Sequence, residues 1–269
     1  MHASPNRAGP SSASGSTKIR RRQPNASGTL FCLRKLREVS GLGGARVVLA
    51  GALILGGIVY SSWVLEFFLD TGLDPVTSFL SELDAANQKY RDVFGNADVI
   101  SAVLMLVSAT LGLLVTERRK FYVAGWIALA VFGVATIADA SFPLDCSGPD
   151  CAASEPGGLL PQLHHVHALT SSVAVFAIFT AMITFTVGAF RYREHPLLRT
   201  VGLGLLIVTS LATVWMLTTN GIELAGGGNL GLGIAQRAQV LGMSLWLCTL
   251  GCAVLRRQER FLNSDFGRS

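Results

Sequence analysis

The chain contains six long apolar segments separated by polar connections, most of them short. The segments lie at about 47–69, 96–115, 121–142, 164–190, 199–219 and 237–255. Apolar runs of about 18 residues or more are typical of membrane-spanning helices, because a helix of about 20 residues crosses the hydrocarbon core of a bilayer. The pattern therefore predicts an all-α integral membrane protein, a bundle of six transmembrane helices.

The composition agrees with lipid as the surrounding solvent. Hydrophobic residues make up 50% of the 269 residues, charged residues make up 14%, and the mean hydropathy is +0.47. A soluble domain carries about 25% charged residues, and no connection is long enough to build a globular domain of its own. The net charge of +5 does not indicate nucleic-acid binding, because the basic residues lie beside the ends of apolar segments.

Basic residues are unequally divided between the two ends of the segments. All but three of the 22 Lys and Arg residues lie in the N-terminal segment, the second and fourth connections and the C-terminal tail. The exceptions are Lys89, Arg91 and Arg237. Since cytoplasmic connections carry an excess of Lys and Arg, both termini are predicted to be cytoplasmic, in the plasma membrane of a bacterium.

Three regions follow from this topology. Residues 1–45 are predicted to be a disordered, basic cytoplasmic segment, 46–256 a six-helix membrane domain, and 257–269 a short cytoplasmic tail. Basic clusters in the first region either attract anionic lipid head groups or serve only to fix the topology.

Two cysteines bracket a polar turn in the third connection, on the predicted outer side. In an oxidising exterior, a disulfide between Cys146 and Cys151 is the favoured interpretation, with free thiols as an alternative. The spacing from these cysteines to His164 and His167 also nearly matches a two-Cys, two-His zinc site, although the gap between the histidines is one residue short.

Ionisable side chains concentrate at the predicted outer ends of the helices. Such groups are costly inside a membrane, so they tend to face a bundle interior or a water-filled cavity. Arg237 requires an acidic partner, and the sequence suggests Asp98, Asp139 or Glu82. The connection after the first segment adds Asp84 to the same end. The ligand pocket is predicted to consist of Glu66, Asp98, Asp139, His165, Asn220 and Arg237.

The histidines that open the fourth segment suggest a metal site. His164 and His167 are three residues apart and share one helix face, whereas His165 is rotated by about 100°. That spacing suits two ligands of one zinc ion, with Asp145 as a third; Asp139 and Glu82 are alternatives. The competing interpretation is that these side chains only cap helices and pair with one another.

Three functions fit these features. The first is a non-enzymatic membrane protein that binds or senses a lipid or envelope component, which needs no cofactor. The second is a zinc-dependent hydrolase of a lipid ester or amide, with Glu82 as the general base and Ser81 as a further catalytic residue. The third, a small-solute transporter, ranks last because no charged residue lies in the central third of any segment.

Short motifs at the segment ends resemble the DUF998 family of uncharacterised prokaryotic membrane proteins. The motifs are Ser81-Glu82-Leu83, Phe94-Gly95-Asn96-Ala97, Phe142-Pro143-Leu144-Asp145, His164-His165 and Gly233-Ile234-Ala235-Gln236-Arg237. The resemblance covers about residues 45–255 and implies a fold and a location rather than an activity. The positions that match the recurrent polar motifs are Ser81, Glu82, Asp145, His164, His165 and Arg237.

A more distant similarity supports the hydrolase hypothesis. Membrane hydrolases of the alkaline ceramidase and progestin-receptor-like group place a Ser, an Asp and several His around zinc. This chain departs from that group, because it has six segments rather than seven and lacks a His-x-x-x-His in its last helix. The hydrolase hypothesis is therefore an analogy.

Overall fold

Six α-helices account for most of the chain. The computed structural model describes residues 26–147 and 160–266, with side chains at 43–147 and 166–256. No β-strand occurs within these ranges. The helices are α1 (Ala26–Val59), α2 (Arg91–Val115), α3 (Lys120–Ser141), α4 (Leu160–Arg191), α5 (Leu203–Leu224) and α6 (Leu232–Phe266).

Three short helical turns extend or join these helices. A 3₁₀ turn, Ser62–Phe67, continues the chain after α1, and a second one, Leu80–Glu82, lies in the connection to α2. A π-helical turn, Leu198–Gly202, leads into α5.

In the described part of the chain, six helical segments are long and apolar enough to cross a membrane, so the prediction of six spanning helices is confirmed. Their ends lie within five residues of the predicted ones. The segments are Gly43–Phe67, Arg91–Val115, Lys120–Ser141, Val166–Arg191, Leu198–Leu224 and Leu232–Arg256.

Two of the predicted region boundaries differ from the helix ends. Helix α1 begins at Ala26, inside the segment predicted to be disordered up to residue 45, and α6 continues to Phe266, beyond the predicted start of the tail at 257. All contacts described below lie within Gly41–Ser269, which forms one compact unit.

Helix α3 packs against both α2 and α4, while α5 packs mainly against α6. Large side chains such as Trp126, Phe132 and Trp246 are fully buried between the helices. Glycine permits the closest approaches: a Cβ at Gly57 of α1 would lie 2.7 Å from the carbonyl oxygen of Ser244 in α6. Helix α5 is the least enclosed span, with 17% of its most apolar stretch buried.

The connections meet at two opposite ends of the bundle. At one end, the amide of Ala86 in the α1–α2 connection donates to the carbonyl of Leu144 after α3 (2.8 Å). At the same end, Asn229 before α6 donates to the carbonyl of Thr77 (3.2 Å). We call this the cavity end. The opposite end carries residues 116–119 and 192–197 and is called the arginine end.

Candidate functional site

A cavity of about 120 Å³ lies at the cavity end. Its walls come from the chain after α1, the α1–α2 connection and helices α2, α3, α4 and α6. The lining residues are Tyr60, Ser62, Trp63, Leu80, Ser81, Leu83, Asp84, Phe94, Asp98, Thr136, Asp139, Ser171, Ala174, Val175, Gln236, Gln239, Val240 and Met243.

Three aspartates from three different elements line the cavity. Asp84 belongs to the α1–α2 connection, Asp98 to α2 and Asp139 to α3. The Oδ1 atom of Asp139 accepts hydrogen bonds from the hydroxyls of Thr170 (2.6 Å) and Ser171 (2.7 Å) on α4. Two residues of the predicted pocket, Asp98 and Asp139, therefore share one cavity.

The carboxylate of Asp84 is buried and only partly hydrogen-bonded. Its residue is 7% exposed, and its Oδ1 atom has no hydrogen-bond partner among the described side chains and backbone groups. The pKa of this carboxyl is raised from 3.8 to about 6, mainly by burial and also by Asp139, against the opposing effects of His167, a backbone hydrogen bond and Arg91. The carboxyl is still mainly ionised at neutral pH.

Aromatic rings complete the cavity wall. Tyr60 and Trp63, from the chain just after α1, and Phe94 of α2 all line it. The indole Nε1 of Trp63 is a buried donor that makes no hydrogen bond in the described part of the chain. The faces of such rings carry negative electrostatic potential and attract cations.

A buried ion pair beside the cavity joins the 3₁₀ turn after α1 to the start of α6. The Nε and Nη2 atoms of Arg237 donate to the two carboxylate oxygens of Glu66, each at 2.5 Å. Both residues are 5% exposed. The suggested partners of Arg237, namely Asp98, Asp139 and Glu82, were therefore wrong, because the 3₁₀ turn after α1 brings Glu66 to the guanidinium instead.

The start of α6 also anchors the α1–α2 connection over the cavity. Arg237 Nη1 donates to the carbonyl of Ser78 (2.9 Å), and the amide of Leu80 donates to Gln236 Oε1 (2.7 Å). The amide of Gly233 donates to the carbonyl of Val76 (3.0 Å). The connection that carries Asp84 is therefore a fixed roof rather than a loose loop.

The two predicted catalytic residues have different positions. Ser81 lines the cavity. Glu82 lies outside the lining, and its Oε1 atom accepts a hydrogen bond from the amide of Phe79 (2.9 Å) within its own turn. That carboxylate stabilises the Leu80–Glu82 turn, and its role as a general base stays a prediction.

Of the three predicted histidines, the structure describes the side chain of His167. It is 5% exposed, and its Nδ1 atom lies 3.1 Å from the carbonyl oxygen of Phe142 and 3.3 Å from Asp139 Oδ1. Its Nε2 atom is buried without a partner among the described groups. The side chains of His164 and His165 lie outside the described residues.

Two members of the predicted metal set, Asp145 and His167, have described side chains. Asp145 is exposed, whereas His167 is buried. No group of three His, Cys, Asp or Glu side chains in the described ranges could hold a metal ion. Because His164 falls outside those ranges, the site of His164, His167 and Asp145 stays a prediction.

The remaining predicted residues that the structure describes do not line the cavity. Asn220 of α5 is partly buried and does not line it. Cys146 is disulfide-bonded; Cys151 lies outside the described residues, so the pairing of the two stays a prediction. Next to Cys146, the hydroxyl of Ser147 donates to the carbonyl of Glu82 (3.0 Å), which ties the α3–α4 connection to the roof.

Uncharged residues that line the cavity were not predicted from the sequence. Tyr60, Trp63 and Gln239 line the cavity, yet they stand within or beside apolar runs where their periodicity resembles that of core residues. A polar side chain inside a spanning segment, such as Gln239, was the available signal, since such groups tend to face the bundle interior.

Comparison with known proteins places the chain in one family. The model of a family described as "Protein of unknown function (DUF998)" matches residues 53–253. No curated protein and no solved structure is detectably similar to the chain.

Proposed function

The chain belongs to the DUF998 family, whose function is unknown, and we propose that it is a non-enzymatic membrane protein that binds the ammonium group of an envelope lipid. The cavity of three aspartates is the binding site. The observation that carries this proposal is the convergence of Asp84, Asp98 and Asp139 on a cavity with no Lys or Arg among its described lining residues.

Charge balance supports a cationic ligand. The nearest buried cation, Arg237, is fully engaged by Glu66 and by backbone carbonyls. It therefore supplies no counterion to the three aspartates, and the other basic groups near them are His167, 3.3 Å from Asp139, and Arg91, which acts on Asp84 from outside the lining. Buried carboxylates without a counterion are costly, and a bound cation removes that cost.

The aromatic lining residues and the size of the cavity favour a ligand with a small ammonium group. Tyr60, Trp63 and Phe94 line the same cavity as the carboxylates, and ring faces together with carboxylates favour ammonium ligands. A volume of about 120 Å³ has room for several water molecules or for a head group. The acyl chains of the lipid would remain outside, in the membrane.

The distribution of charge supports a position in the outer leaflet. The arginine end carries Arg118, Arg119 and Lys120 between α2 and α3, and three more arginines around the α4–α5 connection. By the positive-inside rule we assign this end and both termini to the cytoplasm and the cavity end to the exterior of a bacterial plasma membrane.

The binding test uses the full chain in nanodiscs of phosphatidylglycerol, which contains no ammonium group. Dihexanoyl phosphatidylethanolamine is titrated against dihexanoyl phosphatidylglycerol, and binding is followed by tryptophan fluorescence, since Trp63 lines the cavity. We expect the ethanolamine lipid to bind and the glycerol lipid not to bind.

Matched variants locate the site. Asp98→Asn/Asp139→Asn is expected to weaken binding at least tenfold, while Asp70→Asn, an exposed carboxylate at the same end, leaves it unchanged. Equal binding of the two lipids, or an equal loss in both variants, would contradict the proposal.

A metal-dependent hydrolase is the second candidate, and the environment of His167 favours it. Its Nδ1 faces Asp139 and a backbone carbonyl, while Nε2 is left without a described partner. A carboxylate on one ring nitrogen and a free second nitrogen is the arrangement of many zinc-binding histidines.

Metal content separates the two candidates. About one zinc ion per purified chain, lost in a folded His164→Ala/His167→Ala variant, would favour the hydrolase. A folded wild-type protein that takes up no zinc when it is supplied would exclude that candidate and leave the ammonium proposal untouched.

A further inference from the structure

A second potential ligand site lies at the arginine end, between α4 and α5. A groove of about 550 Å³ lies between these helices and is widely open to the outside of the bundle. Its apolar wall includes Ile183 and Phe190 of α4, each 47% exposed, and Leu206 of α5. Helices α4 and α5 make few direct contacts, because the π-helical turn before α5 separates them here.

Two arginines border the groove where it reaches the arginine end. Arg191 is part of the lining, and the guanidinium of Arg199 lies 5.4 Å from the ring centroid of Phe190, which is also part of it. Neither guanidinium is paired with an acidic side chain in the described part of the chain. By contrast, Arg119 at the same end pairs with Glu117 (2.6 Å) and Glu194 (3.1 Å).

A buried hydroxyl lies in the wall of the groove, and rotation about the χ1 torsion of Thr186 would turn it toward a ligand there. Thr186 lines it and is 5% exposed, yet its Oγ1 atom has no hydrogen-bond partner among the described groups. Other hydroxyls on α4 donate to the carbonyl four residues earlier, as Thr180 does to Phe176 (2.8 Å) and Thr184 to Thr180 (2.7 Å). A buried hydroxyl without a partner carries a cost that a ligand acceptor would remove.

The order of these groups along α4 matches the chemistry of a phospholipid. Thr186 lies five residues from Arg191, which is about 7.5 Å along a helix and about 140° around its axis, so a lipid would pass between the two side chains. A phosphate between the two guanidiniums would therefore place a glycerol ester carbonyl near Thr186 and an acyl chain against Ile183 and Leu206. Guanidinium groups favour phosphate because they donate parallel hydrogen bonds to two oxygens.

We propose that the groove between α4 and α5 is a binding site for one anionic phospholipid. The phosphate lies between Arg191 and Arg199, the hydroxyl of Thr186 donates to an ester oxygen, and one acyl chain fills the apolar wall. This site is at the opposite end of the bundle from the aspartate cavity and does not depend on what that cavity binds.

The test counts bound lipid on the full chain in detergent by native mass spectrometry. Palmitoyl-oleoyl phosphatidylglycerol is compared with palmitoyl-oleoyl glycerol, which has the same chains but neither a phosphate nor an ammonium group. We expect one phosphatidylglycerol to be retained with clear preference. Equal retention of the two lipids would overturn the proposal.

Variants then test the three contacts. Arg191→Gln/Arg199→Gln is expected to weaken phosphatidylglycerol binding roughly 10- to 30-fold. Arg118→Gln, an exposed arginine of the same end outside the groove, serves as the control and is expected to have little effect. An equal loss in the control would show general charge attraction and overturn the site.

The variant Thr186→Val keeps the shape of the side chain and removes the donor. It is expected to weaken binding several-fold while the helical content and the monodisperse state are preserved. Unchanged binding in Thr186→Val would contradict the position of the ester, and unchanged binding in the double arginine variant would refute the whole proposal.

Discussion

The acidic residues at the cavity end differ in what surrounds each carboxylate. Glu66 is neutralised by Arg237, and Asp139 accepts hydrogen bonds from Thr170 and Ser171. Asp84 has a buried oxygen without a described partner. A carboxylate therefore stabilises the fold at Glu66, whereas at Asp84 one carboxylate oxygen has no described partner.

The raised pKa of Asp84 makes the stability of the protein depend on pH. Between pH 3.8 and about 6, the folded state holds a proton that the unfolded state has already lost, so stability falls as the pH rises through this window. Above it, the ionised carboxyl costs about 3 kcal/mol relative to an ordinary aspartate.

We expect Asp84→Asn to raise the apparent melting temperature in detergent at pH 7.5 and to change it little at pH 4. Thermal unfolding followed by circular dichroism at both pH values measures this. A variant that is destabilised at pH 7.5 would show that Asp84 is stabilised by a partner, against the argument from burial.

The Glu66–Arg237 pair predicts a non-additive response to mutation. Glu66→Leu leaves a buried guanidinium and Arg237→Leu leaves a buried carboxylate, and breaking such a pair costs about 3–5 kcal/mol. The double variant Glu66→Leu/Arg237→Leu leaves neither charge, so we expect it to be more stable than either single variant. Melting temperatures of the wild type, the two single variants and the double variant form a double-mutant cycle. Additive losses would contradict the coupling between Glu66 and Arg237.

The need of Arg237 for an acidic partner could be predicted from the sequence, but the identity of that partner could not. If residues 47–69 are taken to form one α-helix, the side chain of Glu66 is predicted to point in the wrong direction. A 3₁₀ turn advances by 120° per residue instead of 100°, so over five residues the side chain is rotated by roughly 100°. Nothing in the apolar run of Ser62–Phe67 signals that change of helix type.

At the scale of elements, small residues decide how closely helices approach. A Cβ at Gly57 of α1 would lie 2.7 Å from the carbonyl of Ser244, and one at Gly251 of α6 would lie 2.8 Å from the carbonyl of Ala50. These neighbours are backbone atoms, which cannot move aside without separating α1 from α6.

We expect Gly57→Ala and Gly251→Ala to destabilise the protein by about 1–3 kcal/mol each, as overpacking does. Gly51 of α1 has open space where its Cβ would lie, so Gly51→Ala is the control and is expected to be neutral or slightly stabilising. The melting temperatures of the three variants are measured in the same detergent and compared. A loss in Gly51→Ala equal to the others would refute the packing argument.

The type and number of the helices could be predicted from hydropathy, whereas the structure of the connections could not. The six spans follow from runs of apolar residues, which require no knowledge of neighbours. The roof over the cavity depends on long-range hydrogen bonds, such as those from Leu80 to Gln236 and from Arg237 to Ser78. Such pairings have no local sequence signal.

At the scale of the whole molecule, the two ends have different chemistry. The cavity end carries the aspartates and the disulfide-bonded Cys146, and the arginine end carries clustered arginines. The proposed orientation predicts that Gly228 and Arg118 lie on opposite sides of the membrane.

Cysteine labelling measures that orientation. A membrane-impermeant maleimide applied to intact cells is expected to label Gly228→Cys and to leave Arg118→Cys unlabelled until the cells are permeabilised. The wild-type protein, whose Cys248 and Cys252 are free thiols within a spanning helix, serves as the control for background labelling. Labelling of Arg118→Cys in intact cells would invert the assignment.

The ion pair between Glu66 and Arg237 also has a consequence for biogenesis. Its partners are 171 positions apart in the chain, so ribosomes that add about 5–20 residues per second deliver Glu66 to the membrane some 10–30 s before Arg237. During that interval the carboxylate lies at the end of the first span without its counterion. The pair can close only when the sixth span has been inserted, and a chain that stops short of it exposes an unpaired acid that membrane proteases and chaperones can recognise.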